Sequence, residues 1–485
     1  PIRASKMRRS GAPPVSPALL AVLCTVSGAR AASAFTLTNF SPPSDPKPQP
    51  PLQHRSQNFR VGGDWGLSPP LRPLRLGPHV RRIKGNVLSC LAGSMGDRGV
   101  STGAAGAGPT AKEEVVEYTY HGITRKDPYA WMKDDNWQQV LREPSVLRAD
   151  IRAHLDEENK HVDAVLAPTK GLQEQLVAEM KGRMAQDDSS VPMTDGPYAY
   201  YSRYVEGGEY PILSRMARAD FESGRWVPDG TPPDSQEDLV DGNELGKGLE
   251  FFKLGAVEHS PDHSLVAYTT DVTGSEYFTV TFKDLRTGEL LPDRLVNCSS
   301  TFVWCKGSDS VVYTVIDENH REKWVYRHRL GQPQSDDELL YMEPDDGFFL
   351  GVSLSDTGNF IIIDSSDHDT SEVRLVDAAG GDAAKPVLVQ EREVGVKYDV
   401  SDFADQLLIL TNEGGATDFK VVTAPASSPG KASWRELVPH TQGVLLRGIQ
   451  TMDGHLVRSE RVNALPRLVV SPLEAPGGGG RARGG

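Results

Sequence analysis

A serine between glycines, Gly99-Val100-Ser101-Thr102-Gly103, is the first group in this sequence that could do chemistry. The G-x-S-x-G spacing makes a nucleophile elbow where a buried strand runs into a tight turn and then a helix, lifting the serine oxygen clear of the backbone. No apolar strand precedes Gly99 and both flanks are Gly/Ala/Ser linker, so Ser101 reads as a chance match. His121, His259, His263, His320, His368, His440 and His455 are scattered through the chain, none with a serine and an aspartate at a spacing that implies a site. They read as structural or solvated. Asp364, Asp367 and Asp369 make a carboxylate-rich turn. Its oxygens suit a hard cation, but a hairpin held by side-chain to backbone bonds is the simpler reading. Asp187-Asp188 fits an interdomain or capping role equally with a solvated linker. Asn39-Phe40-Ser41 and Asn297-Cys298-Ser299 match a glycosylation pattern that is short enough to recur by chance. The sequence therefore nominates no catalytic, cofactor-binding or metal-ligating residue.

The four cysteines, Cys24, Cys90, Cys298 and Cys305, include no CxxC pair and make no disulfide framework. Cys298 and Cys305 read as two buried free thiols, with pairing across a hairpin as the alternative. Charge divides the chain. Residues 1–112 hold 15 Lys+Arg against 3 Asp+Glu, which leaves 37 against 63 for 113–485. That acidic remainder excludes a nucleic-acid partner, which needs a basic surface to release counterions. It favours cationic substrates instead. No apolar run reaches the roughly 18 residues of a membrane span.

The elements follow this division. Met7-Arg8-Arg9, the apolar stretch 17–26 and Ala32-Ser33-Ala34 have the order of a secretory signal. Phe35 follows, and the Arg-, Pro- and Ser-rich stretch to about Lys84 fits a transit peptide, so the leader resembles the bipartite plastid-targeting sequences of algae with complex plastids. A plain secretory leader, or a cytoplasmic protein starting at Met95, are the alternatives. Residues 1–112 are thus leader and disordered linker. Over 113–189, Leu147, Ile151, Leu155 and Val162, then Leu172, Leu176 and Met180 past Pro168, recur at helical spacing and predict a helical segment. Over 190–471 short β-rich runs recur instead. Their turns at Ser264, Ser310, Asn359, Gln406 and His455 are 46, 49, 47 and 49 residues apart, with an earlier copy at Pro197. Four strands in about 48 residues mark propeller blades, which must stack because one sheet cannot bury both faces alone. The sequence predicts a mainly β fold of about six blades in an incomplete ring of seven-bladed type. Residues 472–485 are Gly/Arg-rich tail without strand character.

Against this frame a family resemblance stands out. Asp127-Pro128-Tyr129-Ala130-Trp131 with Asp134-Asp135, and Glu158-Asn159, resemble the opening of the prolyl oligopeptidase family. Asp187-Asp188-Ser189-Ser190-Val191-Pro192 followed by Tyr200-Tyr201-Ser202-Arg203 is similar to its oligopeptidase B branch. Residues 313–321, 324–330, 348–352, 364–375, 437–440 and 465–468 continue the likeness, which covers about 117–470 in one order. The resemblance implies a helical N-terminal segment, a seven-bladed propeller that limits entry to short peptides, and a C-terminal α/β-hydrolase domain in cis. It implies cleavage after Lys or Arg, with short basic peptides as partners and no cofactor.

That family's Ser, Asp and His lie in the hydrolase domain, and these 485 residues contain no strand–Gly-x-Ser-x-Gly–helix after the blades. The expectation is therefore a peptidase by family, catalytically inactive as this chain alone, with the Gly/Arg tail consistent with an intron read as coding. The alternative is a stand-alone propeller that binds peptides or proteins as a scaffold. A kelch or WD-type scaffold is disfavoured because the blades lack repeated Gly-His and Trp-Asp pairs.

Overall fold

The computed structural model describes residues 107–227, 231–452 and 454–473. Ser101, Cys24, Cys90, Asn39, Met95 and nearly all of the leader and tail therefore lie outside the described residues.

The chain enters through a hairpin, β1 (Val116–Tyr120) and β2 (Ile123–Asp127), and not directly through helices as the sequence predicts for 113–189. His121 and Gly122 turn it, both in the left-handed region at φ 52° and 77°. This is the backbone that a two-residue hairpin loop requires. Three helices follow: α1 (Trp137–Arg142), α2 (Ala149–Leu166) and α3 (Lys170–Lys181). Pro168 sits in the short turn of helix separating the last two, where its missing N–H breaks the α-helical ladder.

Six blade units come next. The first is a four-stranded sheet, β3 (Met193–Asp195), β4 (Tyr198–Arg203), β5 (Ile212–Ala217) and β6 (Glu237–Asp241). The second and third form one continuous sheet: β7 (Lys253–His259), β8 (Leu265–Asp271), β9 (Phe278–Asp284), β10 (Leu290–Trp304), β11 (Ser310–Ile316), β12 (Glu322–Arg329) and β13 (Glu338–Met342). The 15-residue β10 is the last strand of one blade and the first of the next. It pairs with β9 up to Cys298 and with β11 beyond it, through a register shift between Cys298 and Phe302. Such a bulge bends a strand and re-aims its side chains.

The fourth blade is β14 (Phe349–Leu354), β15 (Phe360–Ser366), β16 (Ser371–Asp377) and β17 (Val387–Gln390). The fifth is β18 (Tyr398–Phe403), β19 (Gln406–Thr411), β20 (Lys420–Pro425) and β21 (Arg435–Val438). The sixth has three described strands, β22 (Val444–Met452), β23 (His455–Val462) and β24 (Leu465–Pro472).

The second strand of a blade reads as an unbroken apolar run because both of its faces are buried. In β15, Ile361 and Ile363 point into the cluster shared with the third blade, whereas Ile362 points into the cluster shared with the fifth. In β19, Leu407 and Ile409 face backward to the fourth blade, and Leu408 and Leu410 face forward to the sixth. A side-chain period of two thus supplies both interfaces from one strand. Among the described residues no core cluster joins the sixth sheet to the first, so the ring stands open.

The turns between first and second strands of the second, third and fourth blades share one design. Ser260 and Ser355 each accept, on the side-chain oxygen, the backbone N–H five residues on, from Leu265 at 2.9 Å and Phe360 at 3.1 Å. The residue three past the opening one is left-handed each time: His263 at φ 63°, Ser308 at 60° and Gly358 at 68°. These turns gather at one end of the axis, where they bond from blade to blade. Asp262 N donates to Ser308 Oγ at 3.1 Å, and Thr357 N to Asp402 Oδ1 at 3.1 Å.

The opposite end receives the N-terminal segment. Gln138 of α1 donates to Asn319 at 3.0 Å, and Arg142 lies 4.3 Å over the Tyr277 ring. Both partners sit in turns between second and third strands.

Candidate functional site

Three places concentrate chemistry: the axis, the end that meets the N-terminal segment, and the hairpin turns at the far end. First strands of successive blades approach one another, β7 against β10, β10 against β14 and β18 against β22, so they surround a common axis. Their exposed side chains include Glu258, Thr301, Phe349, Ser353, Asp399 and Arg447. Asp364 lies one strand back, paired with Gly351, whose missing side chain leaves open space.

Protein walls around Glu258 push its carboxyl up to about 7, although part of the side chain meets solvent. Burial pushes Asp364 up to about 6, with repulsion from Asp399 adding and the Ser366 hydroxyl opposing. Carboxylates in such a place attract a cationic side chain strongly, because walls of low dielectric concentrate the field. Asp364 therefore belongs to the axis and not to the turn. Asp367 closes the turn, its Oδ1 accepting from Asp369 N at 2.7 Å and Thr370 N at 2.6 Å. This is the side-chain to backbone arrangement expected from the sequence.

The N-terminal segment is built around Trp131, which is buried and donates its indole N–H to Lys112 O at 2.8 Å. Asp127 Oδ1 accepts from Tyr129 N at 2.8 Å, and Asp134 Oδ2 accepts from Arg148 N at 2.8 Å. Asp127 of the Asp-Pro-Tyr-Ala-Trp stretch and the following Asp134 thus hold local backbone. Helices α2 and α3 leave an apolar row in solvent: Leu155, Val162, Leu166, Leu172, Leu176 and Met180 are each exposed. Asp188 also serves the backbone, its carbonyl accepting from Tyr204 N at 2.8 Å and its Oδ1 from Ser189 N at 2.9 Å. Asp187 lines a groove with Tyr201, Arg203 and Trp226.

On the same end, Glu343 and Glu372 are buried and both meet Arg392, at 2.8 and 3.2 Å. The Arg392 guanidinium also lies 3.9 Å over the Phe348 ring. Burial alone would raise both carboxyls, but Arg392, joined at Glu343 by Ser365, Tyr341 and the Asp345 N–H and at Glu372 by Arg374, holds each below its ordinary value.

The histidines separate into distinct environments. His328 is buried between two carboxylates, Nδ1 at 2.7 Å from Asp337 and Nε2 at 3.2 Å from Asp293. Both ring nitrogens are engaged, so neither is placed to take a proton from a serine. Burial opposes its charge, but Asp337 and Asp293 outweigh burial and raise its pKa.

His259 and His263 meet Asp195 at the far end. His259 Nε2 is 2.9 Å from Asp195 Oδ2, and its ring stacks on Tyr200 at 3.8 Å. Burial lowers the His259 pKa despite the attraction of Asp195. His320 Nε2 reaches Ser275 O at 2.7 Å. Cys298 and Cys305 are free and buried, and burial raises both thiols. Asn297, in the glycosylation pattern, is exposed at φ 57°.

Sequence reasoning missed the histidine pair with Asp195, which lies 64 residues from the nearer histidine, His259. Only the blade topology brings consecutive hairpin turns together. It also missed Arg392 and the two glutamates, although an arginine in the connection after a blade is a signal that could have been followed.

Comparison with known proteins places this architecture. Residues 109–477 match the family model described as prolyl oligopeptidase, N-terminal beta-propeller domain. The chain is 36% identical over 376 residues to dipeptidyl aminopeptidase BI of Pseudoxanthomonas mexicana, covering 76% of this chain and 50% of the relative. It is 33% identical over 365 residues to protease 2 of Moraxella lacunata, covering 75% and 50%. Among solved structures, oligopeptidase B from Leishmania major superposes with a TM-score of 0.68 at 30% identity, over 76% of this chain and 51% of that one. Oligopeptidase B from Trypanosoma brucei, solved in a closed form with covalently bound antipain, gives 0.67 at 28% identity over the same shares. The chain spans about half the length of the curated relatives it matches.

Proposed function

This chain belongs to the prolyl oligopeptidase family, and from that premise we propose that it is the substrate-gating portion of a serine-type peptidase of the oligopeptidase B kind. In this reading the propeller admits short peptides to a catalytic α/β-hydrolase domain supplied in cis, and hydrolysis follows Lys or Arg. The described residues bind and filter, and the 485-residue chain by itself does not cleave. The observation that carries the reading is the acidic axis, where Glu258, Asp364 and Asp399 outnumber Lys253 and Arg447. A peptide bearing Lys or Arg gains Coulombic attraction there, and an acidic one is repelled.

The exposed apolar row of α2 and α3 supports the same reading. Helices with an unpartnered apolar stripe bury it against another layer. The leader in residues 1–112 supports delivery to a plastid, which fusion of that leader to a fluorescent reporter would test in an alga.

The experiment compares fluorogenic peptides with Arg, Lys, Pro or Glu before the scissile bond, using the chain joined to the domain encoded downstream of it. Preference for Arg and Lys is expected, with a raised KM and an unchanged kcat for Arg peptides in the Glu258→Gln and Asp399→Asn variants. Equal turnover of the Pro or Glu peptides would overturn the reading.

A further inference from the structure

We propose that Asp195, His259 and His263 form a binding site for a divalent transition-metal ion of the zinc class, clamping the first blade to the second at the end of the axis away from the N-terminal segment. One potential ligand atom from each residue lies within 4.8 Å of the others. Asp195 closes the first strand of the first blade, His259 closes the first strand of the second, and His263 lies in the turn that follows. The three come from two blades, so an ion held by them ties two sheets.

The surroundings orient the two imidazole rings. Tyr200 Oη lies 2.9 Å from His263 Nδ1, which leaves Nε2 of that ring as the free donor. An Arg215 guanidinium N–H donates to His263 O at 2.7 Å and anchors the left-handed backbone there. Metal-ligating imidazoles are usually fixed through their other nitrogen in this way. The His259 ring is held by its stack on Tyr200 and lies nearly parallel to that of His263, at 5.3 Å and 17°.

Space beside the free nitrogen is kept open by Gly196. A Cβ at that position would stand 2.3 Å from His263 Nε2, and the backbone is left-handed at φ 52°. The guanidinium of Arg215, the nearest opposing charge, is itself paired with Glu237 at 2.8 Å. Asp195 is 62% exposed, so the site opens to solvent and leaves a coordination position for water.

Two imidazoles and one carboxylate are borderline donors suited to Zn2+ and to neighbouring ions such as Co2+. Ligands at about 2.0–2.1 Å from zinc stand roughly 3.3 Å apart in a tetrahedron. The His259–Asp195 pair, now hydrogen-bonded at 2.9 Å, would open by about 0.4 Å to reach that spacing, and His263 would swing inward. The role assigned is structural, the joining of two blades.

The test titrates Zn2+ into the metal-free 485-residue chain by calorimetry and follows Co2+ by its visible absorption. The account expects binding to the native chain, a thermal midpoint that rises with Zn2+, and tetrahedral Co2+ bands. His259→Gln and Asp195→Asn should each weaken binding at least about tenfold and abolish those bands. Asp195 is a solvent-facing position, so its variant keeps the test valid if the histidine variant fails to fold. Absence of Zn2+ binding to the native chain, or binding of equal strength in both variants, overturns the proposal.

Discussion

Arg392 and Glu343 form a 2.8 Å ion pair between the loop leaving the fourth blade and the residue that follows the last strand of the third. Glu343 is almost wholly enclosed, with 2% of its side chain exposed, so the pair stands at low dielectric where a lone charge is poorly tolerated. The pair fastens two blades at the end that meets the N-terminal segment.

Replacing Arg392 by methionine removes the ion-pair partner of buried Glu343 and leaves Glu372 with Arg374, at 2.7 Å. Breaking such a pair from one side typically costs about 3–5 kcal/mol, and urea denaturation at pH 7 should show a loss of that order. Both carboxyls are held below their ordinary value of 4.5. Their contribution is therefore present at neutral pH and is lost as pH falls through the depressed folded values. The gap between native chain and variant should narrow in acid, and a gap constant with pH would contradict the assignment.

His328 titrates with the opposite sign. Its pKa is raised in the fold by Asp337 and Asp293. The stabilisation is complete below the ordinary imidazole value of about 6.5 and fades as pH climbs through the raised one. The difference in thermal midpoint between the native chain and His328→Gln should be greatest near pH 6 and shrink toward alkaline pH. A difference that grows with pH would mean that the imidazole is neutral in the fold.

Glu258 and Asp364 oppose folding when ionised. Their carboxyls rise from 4.5 to about 7 and from 3.8 to about 6. The penalty accrues between the ordinary and raised values as pH increases. Glu258→Gln and Asp364→Asn should therefore be more stable than the native chain at pH 8 and equal to it near pH 4. Melting curves across that range decide the matter, and variants less stable at pH 8 would remove these groups from the low-dielectric axis.

The open ring has its own consequence. Strand β24 borders the last described sheet, where Leu465 and Leu468 are exposed, and α2 and α3 expose an apolar row of their own. An edge of this kind templates association. Residues 113–485 expressed alone should self-associate in sedimentation, and the double change Leu465→Lys, Leu468→Lys should reduce it. A soluble monomer with one cooperative thermal transition would contradict this.

Much of the fold is legible in the sequence because blade turns repeat. Turns predicted at Ser264, Ser310, Asn359, Gln406 and His455 each fall at or beside the start of a second strand. The entry hairpin is missed because its strands, VEYTY and ITRKD, alternate without a buried face, and the structure leaves them almost entirely exposed. The signal was His121-Gly122, a two-residue loop between β-branched runs. Strand β10 is hidden for another reason: a periodicity locates turns and does not reveal that one strand serves two blades. The Asp195–His259–His263 group is invisible because its spacing is set by stacking of blades, a long-range relation that no local pattern carries.

Sequencing the full-length transcript across the codons for residues 468–485 tests the central claim most directly. The account predicts a reading frame that continues into a further blade and then into a strand–Gly-x-Ser-x-Gly–helix segment, with Asp and His following it. A transcript that stops after the codon for Gly485 would contradict the assignment as part of a peptidase and leave an open propeller whose ligand must be sought by binding.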